Sequence, residues 1–476
     1  MPFICGVLFA QNFPSLEPSP EVYVYAEKLS RTVSASYWRD LAETALWASS
    51  LNTGNRTGDW LGTITAAVND LAADPNLPFD PKARGEYILV YMHKNFLKTY
   101  SERQTRLDEL LRTGRYNCVS SAVFYMILSL SSGLDVGGVM TKDHAFAAIN
   151  TGREVIDVET TNSYGFDPGN RKEFHDSFGK ATGFAYVPAR NYRDRTAINP
   201  SEMVSLILSN RIAELESRND FSGAVPLSVN REALLSKNTR TEHNSFFEDP
   251  RGDMRTRLLN YGAWLIRTGK DDEALAWAEY AGTPDEKAWR DFVYAAANNR
   301  TVRLIRSRRI AEARAGLEAL RGRLSPAGFG SLDGMVLEVE LAEQVNGIKN
   351  SGEAEAALSR ISSEWERVPE KSREDLRGAA VLKEVERLGK NGDWLGAIAW
   401  LDAAAGQYGG NSLFESTLTT LRQNRVGELH NGFAALYNKG DYNGAKAFIE
   451  KALEEYPGNR QLKEDLALVE RTLTRR

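Results

Sequence analysis

The residues that most suggest chemistry in this chain fall in three short segments. Residues 114–118 are Gly-Arg-Tyr-Asn-Cys, residues 143–146 are Asp-His-Ala-Phe, and residues 155–161 are Val-Ile-Asp-Val-Glu-Thr-Thr. A cysteine followed by a histidine and a carboxylate is the set of side chains that nucleophilic catalysis by a thiol requires. The stretch 114–161 therefore holds the strongest catalytic candidates of the chain.

Local signals around Cys118 predict a helix that begins beside it. Gly114 is typical of the residue after a helix end, here a helix over 104–113, and Asn117 is typical of the N-cap of the next helix. Cys118 then falls in the first turn of a helix that Gly133 closes. The predicted core face of this helix contains Ala122, Tyr125, Met126 and Leu128–Leu130.

Helices are predicted before this region and strands after it. Amphipathic patterns predict helices over 38–46 and 60–71, and Asp80-Pro81 is a typical helix start. Short apolar runs predict strands over 136–140, 145–149, 154–158 and 184–187. The first 200 residues are thus expected to form an α+β domain.

The hairpin between the second and third of these strands bears on the choice of carboxylate. A two-residue turn at Thr151-Gly152 would place His144 opposite Glu159 and diagonal to Asp157, with all three side chains on one face. A longer loop would shift the pairing. The register therefore leaves both carboxylates open as partners of His144.

These residue types suit a specific mechanism. A helix N-terminus stabilises a thiolate, because its unpaired N–H groups carry partial positive charge. A histidine beside Cys118 can hold the thiolate–imidazolium pair and later protonate a leaving group. A carboxylate from Asp157 or Glu159 can orient the imidazole of His144, and the N–H groups of the helix start can serve an oxyanion.

From Ser201 onward, paired helices replace the strand patterns, and a turn signature recurs. It occurs strictly at 219–224, 392–397 and 440–445, and more loosely at 269–274 and 308–313. In each strict copy a helix ends, an aspartate caps the next helix, and an aromatic residue and an alanine pack the pair. This pattern resembles degenerate tetratricopeptide-type repeats (TPR).

Composition excludes several classes of function. The formal net charge is −5 with 26% charged residues, so a nucleic-acid partner is not expected. The two cysteines, Cys5 and Cys118, are not expected to pair, since Cys5 lies in a predicted leader. The five histidines are scattered and no HExxH or CxxC spacing occurs, so neither a metal nor another cofactor is expected.

Residues 1–14 are interpreted as a secretory signal peptide that lacks its basic part. Phe3–Ala10 is a short apolar run, and its end before Gln11 is typical of such a peptide. A start codon assigned too far downstream would give this pattern, and a frayed apolar terminus is the alternative. No run approaches the ~20 apolar residues of a transmembrane helix. Export to the periplasm or cell envelope is expected, with a cytoplasmic location as the alternative.

The order of Cys118, His144 and Asp157 resembles the transglutaminase-like superfamily of cysteine enzymes. In that family a helix bears the cysteine at its N-terminus, and following strands bear the histidine and the aspartate. The resemblance covers residues 100–190 in outline. Together with the repeats, the chain resembles a bacterial branch in which such a domain precedes TPR-type repeats. The resemblance implies a papain-like core with Cys118, His144 and Asp157 as catalytic residues.

Two positions depart from the pattern of that family. Phe146 stands where a tryptophan often follows the histidine by two residues, and Val158 stands where a proline often follows the aspartate. The first departure leaves the expected fold unchanged. The second keeps Glu159 as the alternative to Asp157.

The resulting expectation is a transglutaminase-like domain over 15–198 followed by TPR-like helical repeats over 199–476. We expect a cysteine enzyme that transfers acyl groups or hydrolyses amides, as a peptidase or transglutaminase would, through a thioester on Cys118. The repeats would recruit a peptide or protein partner. One alternative is a non-catalytic transglutaminase-like scaffold whose repeats act as an adaptor in protein-complex assembly. Another is an envelope assembly factor that uses only the repeats.

Overall fold

The structure is a computed structural model that describes residues 13–51, 53, 58–142, 144–169, 172–182, 195–237, 249–282 and 286–475. The predicted strand over 184–187 and nearly all of the predicted leader lie outside these residues. The described chain is mostly helical with a small sheet, and it divides into two compact units, Met1–Phe292 and Val293–Arg476. Among the described helices, none combines the length and apolar character needed to cross a bilayer.

The first unit contains the β-structure and the helices around it. Its elements are α1 (Pro20–Leu29), α2 (Tyr37–Ser50), α3 (Gly58–Ala73), α4 (Pro81–Asn95), β1 (Thr99–Tyr100), α5 (Leu107–Thr113), β2 (Arg115–Tyr116), α6 (Cys118–Ser131), β3 (Asp135–Met140), β4 (Ala145–Asn150), β5 (Val155–Val158), α7 (Lys172–Thr182), β6 (Thr196–Ile198), α8 (Pro200–Ser217), α9 (Phe221–Leu235), α10 (Pro250–Arg267), α11 (Asp271–Tyr280) and the beginning of α12 (Lys287–Arg306).

The second unit is helical throughout its described residues. After the remainder of α12 its elements are α13 (Ile310–Ala319), α14 (Pro326–Asn346), α15 (Ser351–Ser363), α16 (Glu370–Lys390), α17 (Trp394–Tyr408), α18 (Ser412–Asn438), α19 (Tyr442–Glu455) and α20 (Arg460–Thr474).

Helix α6 forms the centre of the first unit. The predicted start and end are confirmed: Asn117 is its N-cap, and Gly133 follows its last turn with φ at +78°. Residues 119–130 are all buried, because the mostly apolar helix is surrounded by α2, α4, α8, β3 and β4. The core face predicted for this helix is therefore buried, together with the rest of its surface. Most of the first unit is organised around this helix.

The sheet has the strand order β5-β4-β3-β6, with every neighbouring pair antiparallel. Strands β3, β4 and β5 confirm three of the predicted strands to within one residue at each end. One face of the sheet packs on α6 through residues such as Val136, Ile149 and Val158. The opposite face carries Val139, Phe146 and Ala148. The sheet therefore separates the main core from a second, smaller apolar cluster.

The compact units do not divide at the predicted boundary between residues 198 and 199. Helices α8 and α9 bury Met203, Ile207 and Leu227 in the same core as α2 and α6, and the division falls at Phe292. An amphipathic helix shows the same sequence period whether it packs on a repeat or on a neighbouring domain. For this reason the change of sequence pattern at Ser201 indicates a change of secondary structure but not a domain boundary. The hydrophobic core continues across it.

The recurrent turn signature has the predicted physical basis. Asp220, Asp393 and Asp441 each cap the following helix, accepting the N–H three residues later at 2.8–2.9 Å. Each donor is a glycine on which a Cβ would lie within 2.2–2.6 Å of the capping carboxylate. The alanine after each glycine is at most 1% exposed. The signature is therefore a capped helix–helix turn.

Candidate active site

Cys118 is the first residue of α6 and is partly exposed. Asn117 accepts the N–H of Ser120 at 3.0 Å, and the Ser120 hydroxyl accepts the N–H of Asn117 at 3.0 Å. The Asn117 side chain also donates to the carbonyl of Glu102. Among the described residues, the amides of Cys118 and Val119 have no hydrogen-bond acceptor. The sulfur thus lies at the positive end of a helix, beside two available N–H donors.

His144 directly precedes β4 and interacts with both Cys118 and Glu159. Its Nε2 lies 2.6 Å from Oε2 of Glu159, which leaves Nδ1 as the ring nitrogen available to the sulfur. Burial alone disfavours the imidazolium. The charge of Glu159 and the hydrogen bonds to Cys118 and Glu159 outweigh burial and raise the pKa of His144 well above its ordinary value. The site therefore favours the charged imidazole that a neighbouring thiolate requires.

Glu159 follows β5 directly, and the turn after it fixes its carboxylate. Oε1 accepts the Thr161 hydroxyl at 2.8 Å and the Thr161 N–H at 3.3 Å. The backbone N–H of Glu159 donates to the carbonyl of Gly165 at 2.7 Å. A Cβ on Gly165 would lie 2.0 Å from the Glu159 carbonyl oxygen, so the turn requires glycine there. With Oε2 on His144 and Oε1 on Thr161, both carboxylate oxygens have partners.

Asp157, the first choice for the third catalytic residue, does not contact His144. Its two carboxylate oxygens accept Nη1 and Nη2 of Arg195 at 2.8 and 2.6 Å. Arg195 immediately precedes β6, so this pair ties the two edges of the sheet together. The carboxylate beside the imidazole is that of Glu159, the alternative. This corrects the assignment that the resemblance implied for Asp157.

The position of the hairpin turn explains why Glu159, and not Asp157, contacts His144. Its two central residues are Gly152 and Arg153, with the Thr151 N–H donating to the Glu154 carbonyl at 3.0 Å, so the turn lies one residue beyond the predicted position. The register consequently shifts by two residues and pairs Asp157 with Ala148.

Because the register shifts by two residues, Asp157 and Glu159 stay on the same face of the sheet as His144. Their distances from the imidazole change. Ala148 is four residues beyond His144, which corresponds to ~13 Å along a strand. One step beyond the last ladder pair, Ala147–Val158, Glu159 falls opposite Phe146. Glu159 is therefore diagonal to His144 and within reach, and Asp157 is out of reach.

Several side chains hold the turn after Glu159 in place through contacts that the sequence did not predict. His93 on α4 has Nε2 3.1 Å from the carbonyl oxygen of Thr160, and burial lowers the pKa of His93 to about 4. The Tyr116 hydroxyl donates to the Thr161 carbonyl at 3.2 Å, and the hydroxyls of Ser121 and Thr160 lie 2.9 Å apart. The polar pair Thr160-Thr161 after an apolar strand was the available signal for this support.

Cys118 and His144 open into a cleft of about 690 Å³ within the first unit. Tyr100 and Lys142 also line this cleft. The facing wall belongs to α8, α9 and α10, which were predicted to be repeats. Its residues are Leu206, Ser209, Asn210, Ala213, Glu214, Ser217, Arg231, Asp253 and Arg257. The cleft therefore joins the catalytic candidates to helices from beyond the predicted domain boundary.

The site offers a nucleophile, an ionisable partner and a fixed carboxylate. Across the described ranges, no three or more His, Cys, Asp or Glu side chains cluster in a way that could hold a metal ion.

In comparisons with known proteins, no protein-family model, no curated protein and no solved structure matches this chain.

Proposed function

We propose that this chain is a transglutaminase-like cysteine enzyme that cleaves or transfers amide-linked acyl groups through a thioester on Cys118. The observation that supports it best is the connected set formed by Cys118 at the start of α6, His144 beside it, and the buried Glu159 bound to the other side of the imidazole. This set opens into a cleft large enough for a peptide.

In the proposed reaction the Cys118 thiolate attacks the carbonyl carbon of an amide. A C–S bond forms, and the π electrons of the carbonyl move to its oxygen. When the tetrahedral intermediate collapses, the C–N bond breaks and the leaving nitrogen takes a proton from the His144 imidazolium. Glu159 holds the imidazole in position throughout and stabilises its charge while the ring is protonated.

The thioester is then released by a second nucleophile. Neutral His144 takes a proton from a water molecule or from an amine, which attacks the thioester carbonyl and displaces the Cys118 thiolate. Attack by water gives hydrolysis, and attack by an amine gives acyl transfer. Both outcomes use the same three side chains.

The shape of the cleft favours an extended peptide as the acyl donor. The residues of α8 that line it recur at three- and four-residue steps from Leu206 to Ser217, which corresponds to a wall ~16 Å long. A peptide at ~3.4 Å per residue would place about five residues along it. Small side chains such as Ser209 and Ala213 leave room for a peptide backbone.

The second unit would recruit a protein partner. Its successive capped helix pairs are the kind of array that offers an extended binding surface. The same array would serve an adaptor role in a protein without catalysis. The reactivity of Cys118 distinguishes the two proposals.

The decisive experiment measures that reactivity in a C5S background, where Cys118 is the only cysteine. Iodoacetamide alkylation is followed by intact mass from pH 5 to 9 and compared between C5S and C5S/H144A. Because a free thiol is only about 0.3% thiolate at pH 6, an enzyme of this kind should react up to about 100-fold faster at that pH than the H144A variant. An unfolded-protein control gives the rate of an ordinary thiol.

Thioester formation is tested in the same background with p-nitrophenyl acetate. C5S should release one nitrophenolate per chain in a burst and gain one acetyl group that hydroxylamine removes. C5S/C118S should show neither. If C5S alkylates like an ordinary thiol at every pH and gives no burst, the enzymatic proposal is wrong and the scaffold role becomes the better interpretation.

A further inference from the structure

Tyr100 has no role in the proposed thioester chemistry, yet a short pair of strands holds it near Cys118. It ends β1, which pairs in parallel with β2 so that Tyr100 lies directly opposite Tyr116. Two residues after Tyr116 the chain reaches Cys118. The rings of Tyr100 and Tyr116 meet edge to face with centroids 5.9 Å apart. This short parallel pair therefore fixes Tyr100 next to the start of α6.

The phenol of Tyr100 lies close enough to the Cys118 sulfur for their charges to interact. Tyr100 lines the same cleft as Cys118, Val119 and His144. Its hydroxyl makes no hydrogen bond with any residue that the structure describes, whereas the hydroxyl of Tyr116 is committed to the Thr161 carbonyl. A partly buried O–H donor without an acceptor, at the edge of a nucleophile, is suited to bind a group that the substrate brings.

The environment also keeps this donor protonated. Burial, followed by the negative charges of Cys118, Glu102 and Glu159, raises the pKa of Tyr100. A phenol in this setting stays a donor over the whole range in which the proposed thiolate acts. It can donate a hydrogen bond to developing negative charge without giving up its proton.

The helix start supplies the complementary donors. The capping box uses the N–H of Ser120 and leaves those of Cys118 and Val119 without an acceptor among the described residues. The oxygen of a carbonyl attacked by the Cys118 sulfur must lie close to that sulfur, and hence close to these two amides. Tyr100 lines the same cleft as Cys118 and Val119.

We propose that Tyr100 is a further catalytic residue, whose hydroxyl donates a hydrogen bond to the oxyanion formed when Cys118 attacks a carbonyl group. The inference rests on the proposed thioester chemistry. In the step concerned the C–S bond forms and the carbonyl π electrons become an oxygen lone pair. Tyr100 and the helix-start amides stabilise that charge, and no proton leaves the phenol. On collapse the electron pair re-forms the carbonyl and the leaving group departs.

The test compares two reactions of the same sulfur. Iodoacetamide alkylates the thiolate by displacement and forms no oxyanion, whereas p-nitrophenyl acetate acylates it through one. In the C5S background, Y100F should lower the second-order rate constant of acylation by about 100-fold and change alkylation less than twofold. Y23F, which alters an exposed tyrosine on α1, should change neither rate.

Retained alkylation by Y100F also shows that the site is folded. An equal fall of both rates would mean that Tyr100 acts on the thiolate or on folding, and unchanged acylation would mean that it takes no part; either result overturns the inference. Failure of the proposed function is distinguishable, since then the parent C5S protein itself would not be acylated.

Discussion

The imidazole Nε2 of His144 lies 2.6 Å from Oε2 of Glu159, a residue that is only 1% exposed. Asp157, two residues earlier on the same face, is bound through both oxygens to Arg195. A one-residue difference in the position of the hairpin turn decides which of the two carboxylates contacts His144. Had the hairpin turned at Thr151-Gly152, Glu159 would lie opposite His144 and Asp157 diagonal to it. Because it turns at Gly152-Arg153, Glu159 alone reaches the ring.

The carboxylate assignment predicts different effects of two matched substitutions. E159Q removes the charge that raises the pKa of His144, so this pKa should fall toward its ordinary value of 6.5. D157N changes a carboxylate that does not contact the ring and should leave the His144 titration unchanged. NMR titration of ε-13C-labelled histidine, with H144A to assign the signal, measures both. Equal shifts in the two variants would contradict the assignment.

The same pair predicts a pH-dependent stability. The folded-state pKa of His144 is raised, so the stabilisation from its charge is fully present below 6.5 and is lost as the pH rises through the folded-state value. E159Q should lower the free energy of unfolding of the first unit by about 2 kcal/mol at pH 5.5, and by less at pH 9. Thermal unfolding of wild type and E159Q at both pH values measures this. A difference that grows with pH would reverse the predicted sign.

Thr161 is expected to act as a positioning residue for Glu159. T161V removes the hydroxyl that donates to Oε1 at 2.8 Å and keeps the side-chain shape. Since the acceptor is a buried carboxylate, we expect a loss of about 2 kcal/mol of stability and a lower pKa of His144. T161S restores the donor and should restore the titration. A T161V protein whose His144 titrates as in wild type would leave Thr161 with only a packing role.

Gly165 should be the least tolerant glycine of the site. In G165A the new Cβ would lie 2.0 Å from the Glu159 carbonyl oxygen, so the turn must open and move Glu159 from His144. We expect G165A to lower the free energy of unfolding by roughly 3 kcal/mol or more and to abolish the rapid alkylation of Cys118 at pH 6. G62A is the matched control, because nothing lies within 4 Å of that added methyl group in α3. It should leave alkylation unchanged; a similar loss in both variants would contradict the proposed strain.

In the second unit, the capping aspartate of α19 should contribute measurably to local stability. D441A removes the acceptor of the Gly444 N–H and should cost about 1 kcal/mol. G444A should cost a comparable amount, since its Cβ would lie 2.2 Å from the Asp441 carboxylate and displace it from the cap. Hydrogen exchange of the amides of α19 reports both losses locally. G427A, in an open position on α18, serves as the control and should not increase exchange.

The sequence by itself determined the features that depend on neighbouring residues. Gly114 and Asn117 set the end of α5 and the start of α6, and the aspartate of the repeated signature caps its own helix. Capping and helix termination need only residues a few positions apart, so their patterns are legible in one dimension. The placement of Cys118 at a helix N-terminus follows from these local rules.

The tertiary structure alone decided which partners these elements meet. The choice of Glu159 over Asp157 depended on the register of a hairpin and on Arg195, which is 38 residues away from Asp157. The packing of α8 on α2 and α6 depended on which of several apolar faces were complementary. Helical and strand periods specify which face is buried, but they carry no information about the surface that buries it. The cleft, its facing wall and the position of Tyr100 near Cys118 arise from the packing of these elements.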